Sequence, residues 1–79
     1  MYKENLHERI KIARTEAGFS QQQIADELSV SQSRIAKIES GRQEPDIETL
    51  GKLAEFYSVS VDWLLGLAPK RPGSEKLKQ

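Results

Sequence analysis

Apolar residues recur at helical spacing through most of the chain. Ile24, Ala25 and Leu28 mark one face, Ile35 and Ile38 mark a second, and Val30 sits in the connection between them. The spacing predicts two short helices within residues 21–41, joined by a tight turn and packed on each other. Ala25 is small where the two axes would cross. Ser20 can cap the first of the two helices, with Gln23 three residues on completing a capping box, and Ser31 can cap the second. Upstream, Leu6, Ile10, Ala13 and Ala17 line a stripe that predicts a helix starting near Asn5, with Glu8 three residues later, and ending at Gly18. Downstream, Gly41 ends the third helix, and Ile47, Leu50, Leu53, Ala54 and Tyr57 predict a fourth that starts after Pro45 with Asp46 as its cap. Gly51 interrupts this fourth helix at up to ~1 kcal/mol relative to alanine, which close packing would explain. Val61, Trp63, Leu64 and Leu65 predict a short fifth helix, capped by Ser60 and ended by Gly66. The fold class expected is all-α, five compact helices with a helix-turn-helix at helices 2 and 3.

Seventy-nine residues suit one small domain, expected at 1–66, followed by a flexible basic tail at 67–79 that carries two prolines and a glycine and no sustained apolar period. Cysteine is absent, which removes disulfides, thiol nucleophiles and cysteine metal sites. The opening residues are polar and no apolar run is long enough to span a bilayer, so the expectation is a cytoplasmic protein with no membrane partner. Net charge is zero, but its distribution is uneven. Residues 1–43 carry seven Lys/Arg against six Asp/Glu, residues 44–66 one against five, and residues 67–79 four against one. An anionic partner would therefore be expected to meet the protein away from the acidic segment, with weak sequence-independent affinity.

With Ile35 and Ile38 turned to the core, Ser33 and Lys37 fall on the opposite side of the third helix, four residues apart and neighbours. Gln32 and Arg34 flank them, and Ala36 leaves room between. Such a surface suits the major groove of double-stranded DNA, where glutamine pairs with adenine, lysine or arginine with guanine, and serine with either. An ordinary solvated face accounts for the same residues about as well. Arg14 lies at the edge of the first stripe and Glu39 at the edge of the core side of the third helix, so the two either pair and tie these helices together or stand as separate surface charges. His7 is expected on the surface, Ile12 off the stripe, and Asp26 with Glu27 on a solvated helix face. One histidine, no cysteine and no converging carboxylates argue against an enzyme.

The series Ser20-Gln21, Ile24-Ala25, Leu28, Val30-Ser31, Ile35, Ile38-Glu39, Gly41, Pro45, Leu50, Leu53-Ala54 and Val59-Ser60-Val61-Asp62-Trp63-Leu64-Leu65 closely resembles the Cro and phage-repressor type of helix-turn-helix regulators, from about Leu6 to Gly66. The resemblance implies a lambda-repressor-like domain that binds double-stranded DNA as a homodimer on a palindromic operator, with its third helix in the major groove and no cofactor. Carried over by position, Gln32, Ser33 and Lys37 are base-reading residues with Arg34 as an addition, Gln21 and Arg42 hold phosphates, and Arg14 with Glu39 stands where these repressors keep a buried ion pair. Two positions depart from the pattern: Ser29 and Ser58 stand where glycine is usual, and a left-handed backbone there would cost roughly 1–2 kcal/mol each. The expected function is a bacterial or phage-type transcriptional regulator, a repressor by operator occupancy. Its tail is short for a second domain, so switching would come from a regulatory protein partner, proteolysis or concentration. The alternative is an antitoxin-type interaction module, with the exposed aliphatics and Trp63 as its contact surface.

Overall fold

A computed structural model describes the backbone of residues 2–67 and the side chains of residues 6–67. The described residues form α1 (Tyr2–Ala17), α2 (Gln21–Leu28), α3 (Gln32–Glu39), α4 (Ile47–Tyr57) and α5 (Val61–Leu64), without a strand. The tail expected at 67–79 lies outside the described residues apart from the exposed Leu67. α2 and α3 pack most extensively on each other, while α1 lies against α3, α4 and α5 and so forms the back of the domain. The core gathers Leu6, Ile10 and Ala13 of α1 with Ile24, Ala25, Leu28, Ile35, Ile38, Leu53, Ala54, Tyr57, Trp63 and Leu64.

Local chemistry sets the helix ends. Ser20 Oγ accepts from the Gln23 N–H at 3.0 Å while Gln23 Oε1 accepts from the Ser20 N–H at 2.8 Å, completing the capping box in both directions. Ser31 Oγ accepts from the Arg34 N–H at 3.1 Å, and Ser60 Oγ from the Trp63 N–H at 2.9 Å. Ser29 and Ser58 both adopt the left-handed conformation with φ of 57°, so the turns keep the geometry that favours glycine and carry the strain. The backbone bonds they close explain why: at each C-cap the serine N–H and the next N–H return to the last carbonyls of the helix, as Val30 N–H does to Ala25 O at 3.0 Å.

Several expectations are corrected. α1 begins at Tyr2 rather than at Asn5, because the segment ahead of Asn5 contains good helix formers such as Lys3 and Glu4 and nothing that stops a helix. Ala17 is exposed, since the chain turns at Gly18 and Phe19 fills that end of the core against Tyr57 and Phe56. Ile47 lies on the same side of α4 as Ala54 by spacing, yet it is 90% exposed, whereas Thr49 in the same turn is buried, its hydroxyl against Asp46 and Arg34. A Cβ on Gly51 would meet nothing within 4 Å, so close packing does not explain that glycine. Trp63 is buried with the apolar run of α5 to which it belongs, so only the interaction-module alternative, which used it as a contact surface, is corrected; the Arg9 guanidinium lies 4.8 Å above its ring and Arg9 Nη1 donates to its carbonyl at 2.9 Å.

Candidate nucleic-acid interface

Each side of α3 has a separate task. Ile35 and Ile38 are buried against α2 and α1, whereas Gln32, Ser33 and Lys37 are exposed on the far side and Ala36 is half-buried between the two. Ser31 caps the helix and so fixes where its first turn starts, while Gly41, with φ of 82°, turns the chain away just beyond its end. The outer face thus projects from a short rod pinned at both ends.

Behind α3 runs a line of polar contacts. Arg14 Nε donates to Glu39 Oε2 at 2.6 Å and Arg14 Nη2 to Glu39 Oε1 at 3.1 Å, a bidentate pair whose side chains are 13% and 3% exposed. Arg14 Nη1 also donates to Phe19 O at 2.8 Å, which ties the pair to the loop before α2. The hydrogen bond to Glu39 raises the Arg14 guanidinium above its ordinary pKa, outweighing the burial that lowers it. Gln21 Nε2 donates to Glu39 Oε1 at 3.0 Å, and Gln32 Nε2 donates to Gln21 Oε1 at 2.6 Å. The two glutamines are therefore joined, and both are joined to the core.

Arg34 is placed apart from the other candidates for base reading. It is half-buried, and its Nη2 donates to Asp46 Oδ1 at 2.7 Å and to Thr49 Oγ1 at 3.5 Å, so its side chain leans toward α4. Asp46 occupies the N-cap position of α4 without a side-chain bond to the helix backbone, because its carboxylate accepts from the Thr49 hydroxyl and from Arg34 instead. The Thr49 hydroxyl, against the burial that raises it, is the first cause that holds the Asp46 carboxyl below its ordinary value, and Arg34 adds the least. The acidic segment therefore does not lie wholly away from α3: Asp46 touches it, with its charge answered by Arg34. Neither contact was foreseeable from periodicity, since the loop of residues 40–46 decides what meets the third residue of α3.

Arg42 is exposed in that loop. His7, expected on the surface, is half-buried, and its ring lies against Gly41 so closely that a Cβ there would sit 3.4 Å from Nδ1. An open groove of about 290 Å³ follows this contact, lined by Leu6, His7, Ile38, Ser40, Gly41, Gln43, Glu44 and Pro45. No group of three or more His, Asp or Glu side chains gathers at metal-binding distance among the described residues. No described helix is long and apolar enough to cross a membrane.

Two helices joined by a left-handed turn, the second carrying an outward polar face and braced by a third helix behind, define a helix-turn-helix domain. Residues 10–64 match the helix-turn-helix family, and the chain belongs to it. Similar proteins include the SPbeta prophage-derived HTH-type transcriptional regulator YonR of Bacillus subtilis, 47% identical over 58 residues that cover 73% of this chain and 54% of that protein. The HTH-type transcriptional regulator ImmR of the same organism is 39% identical over 62 residues, 78% of this chain and 49% of that protein. The cryptic phage CTXphi transcriptional repressor RstR of Vibrio cholerae is 36% identical over 61 residues, 77% and 54% of the two chains. The chain spans about half the length of these relatives.

Proposed function

We propose that the chain is a sequence-specific DNA-binding transcriptional regulator of bacterial or phage type, a cytoplasmic repressor that binds a palindromic operator as a homodimer with α3 in the major groove. The observation that carries this reading is the division of α3, where Gln32, Ser33 and Lys37 stand exposed on one face and Ile35 with Ile38 anchors the other. Glutamine, serine and lysine supply the donors and acceptors that base edges require, on a rigid helix of major-groove width. The relatives named as regulators, among them a phage repressor, support the same reading.

In this reading Gln32, Ser33 and Lys37 meet bases, and Arg34 meets one only by releasing Asp46. Gln21 holds a phosphate through the N-terminus of α2, whose first N–H groups have no partner within the helix, and Arg42 holds another. The dimer seam falls in the α4–α5 region, where Ile47, Phe56 and Leu67 are exposed. The antitoxin-type alternative loses its aromatic anchor, because Trp63 is buried within the domain.

Selection of bound sites from a random duplex library, run with the parent and with Lys37→Ala, tests the proposal. The expected product is an inverted repeat with half-sites about one helical turn (~34 Å) apart. Gln32→Ala and Lys37→Ala should each lose roughly 1–3 kcal/mol on the best site and relax preference at one base, whereas Arg42→Ala should weaken all sequences alike. Equal losses on selected and random DNA for all three variants would contradict these assignments, and a stoichiometric protein partner with no enriched sequence would favour the interaction module.

A further inference from the structure

Four side chains form one hydrogen-bonded line from the core to the outer face of α3, and its direction is set at its buried end. The Arg14 guanidinium only donates and the ionised Glu39 carboxylate only accepts. Gln21 can therefore meet Glu39 Oε1 only through its amide nitrogen, which lies 3.0 Å away. That turns Gln21 Oε1 outward, where it calls for a donor, and Gln32 Nε2 supplies one at 2.6 Å. An amide on an open surface can turn either way. Here each amide is turned by its inner neighbour, and the innermost by a carboxylate that Arg14 holds at both oxygens. What Gln32 has left to offer is its carbonyl oxygen and one amide N–H. An acceptor beside a single donor complements the N6 amino group and N7 of adenine, whereas guanine presents two acceptors, O6 and N7, in the major groove.

We propose that the buried Arg14–Glu39 pair is a positioning device for base reading: acting through Gln21, it fixes the polarity of the Gln32 amide and so selects adenine over guanine at the base that Gln32 meets. The inference rests on α3 being a major-groove helix. Gln32 alone touches the base; Glu39 and Gln21 are positioning residues.

The base step is located first, as the one whose preference Gln32→Ala relaxes in the selected operator. Duplexes carrying each of the four base pairs at that step are then bound by the parent, by the double variant Arg14→Met/Glu39→Leu and by Gln21→Met, with a thermal melt of each protein. The double variant removes the carboxylate while replacing a buried ion pair by apolar side chains, an exchange that folded proteins commonly tolerate. Should it fail to melt cooperatively, Gln21→Met decides alone. The parent is expected to favour adenine over guanine by about ten-fold or more. Both variants are expected to bring that ratio toward one while the preference at the step read by Lys37 persists, which a general loss of stability or of phosphate contacts would not produce. A parent that prefers another base at this step, a Gln32→Ala variant that relaxes no step, or variants that keep the adenine preference would each overturn the positioning role while leaving the operator-binding reading intact. A parent that selects no sequence would overturn both.

Discussion

Two ion pairs hold α3, one at each end, and they differ in nearly everything but charge. Glu39, the last residue of α3, meets Arg14 through both carboxylate oxygens, with 3% and 13% of the two side chains exposed. Arg34, in the first turn of α3, meets Asp46 through one contact, with side chains 32% and 54% exposed. At the buried pair, water cannot replace a lost partner, so each charge depends on the other for its solvation. At the outer pair solvent screens the attraction, and either charge can find water instead. Burial therefore makes one junction structural and leaves the other adjustable. The adjustable one lies on the side of α3 whose neighbours, Gln32, Ser33 and Lys37, face outward.

Breaking the buried junction should have the largest effect. Arg14→Ala leaves the Glu39 carboxylate without its counter-charge and is expected to destabilise the domain by roughly 3–5 kcal/mol. A denaturant titration or thermal melt measures it, and a variant that melts with the parent would refute the account of this junction.

The next effect concerns Tyr57, whose buried hydroxyl has no hydrogen-bond partner among the described residues and sits within electrostatic reach of Arg14 and Glu39. Burial first, and then the Glu39 charge, push its pKa above the ordinary 10.0. The folded state thus holds the proton more tightly than the unfolded chain, so this contribution is intact below pH 10.0 and is lost as pH rises through the folded value. Tyr57→Phe removes an unpaired polar group and should stabilise the domain by about 1 kcal/mol. It should also flatten the fall in stability above pH 10.0, which melts across an alkaline series would reveal.

The smallest effect is expected at the outer junction. Asp46→Asn should shift the melting temperature far less than Arg14→Ala, and the shift should shrink as salt is added. Because the Asp46 carboxyl is held below its ordinary 3.8, its contribution is present above that pH and is lost as pH falls through the lower folded value. A large loss at neutral pH would show the two junctions to be more alike than their exposure implies.

The five helices and their order follow from the chain itself. Apolar spacing places Ile24, Ala25 and Leu28 on one face and Ile35 with Ile38 on another, and serines at positions 20, 31 and 60 mark three helix starts by short-range bonds that need no distant partner. The outward face of α3 was legible for the same reason, since Gln32, Ser33 and Lys37 are exposed once the isoleucines are buried. Periodicity assigns a side but not a cover. Ile47 and Ala17 sit on core-facing stripes and are exposed, because Thr49 in one case and Phe19 in the other is packed inward at that end of the helix. His7 errs in the other direction, packing on Gly41. Where polar side chains point was likewise decided only by assembly. Charge complementarity suggested Arg14 and Glu39 as partners, but which amide follows Glu39 depends on α2 lying across α3. The turn of Arg34 toward Asp46 depends on the path of the loop between α3 and α4. Helical repeat and capping are interactions among residues a few positions apart, and the sequence states them directly. Polar chains and cover come from residues 11 to 54 positions apart, brought together only when the helices pack.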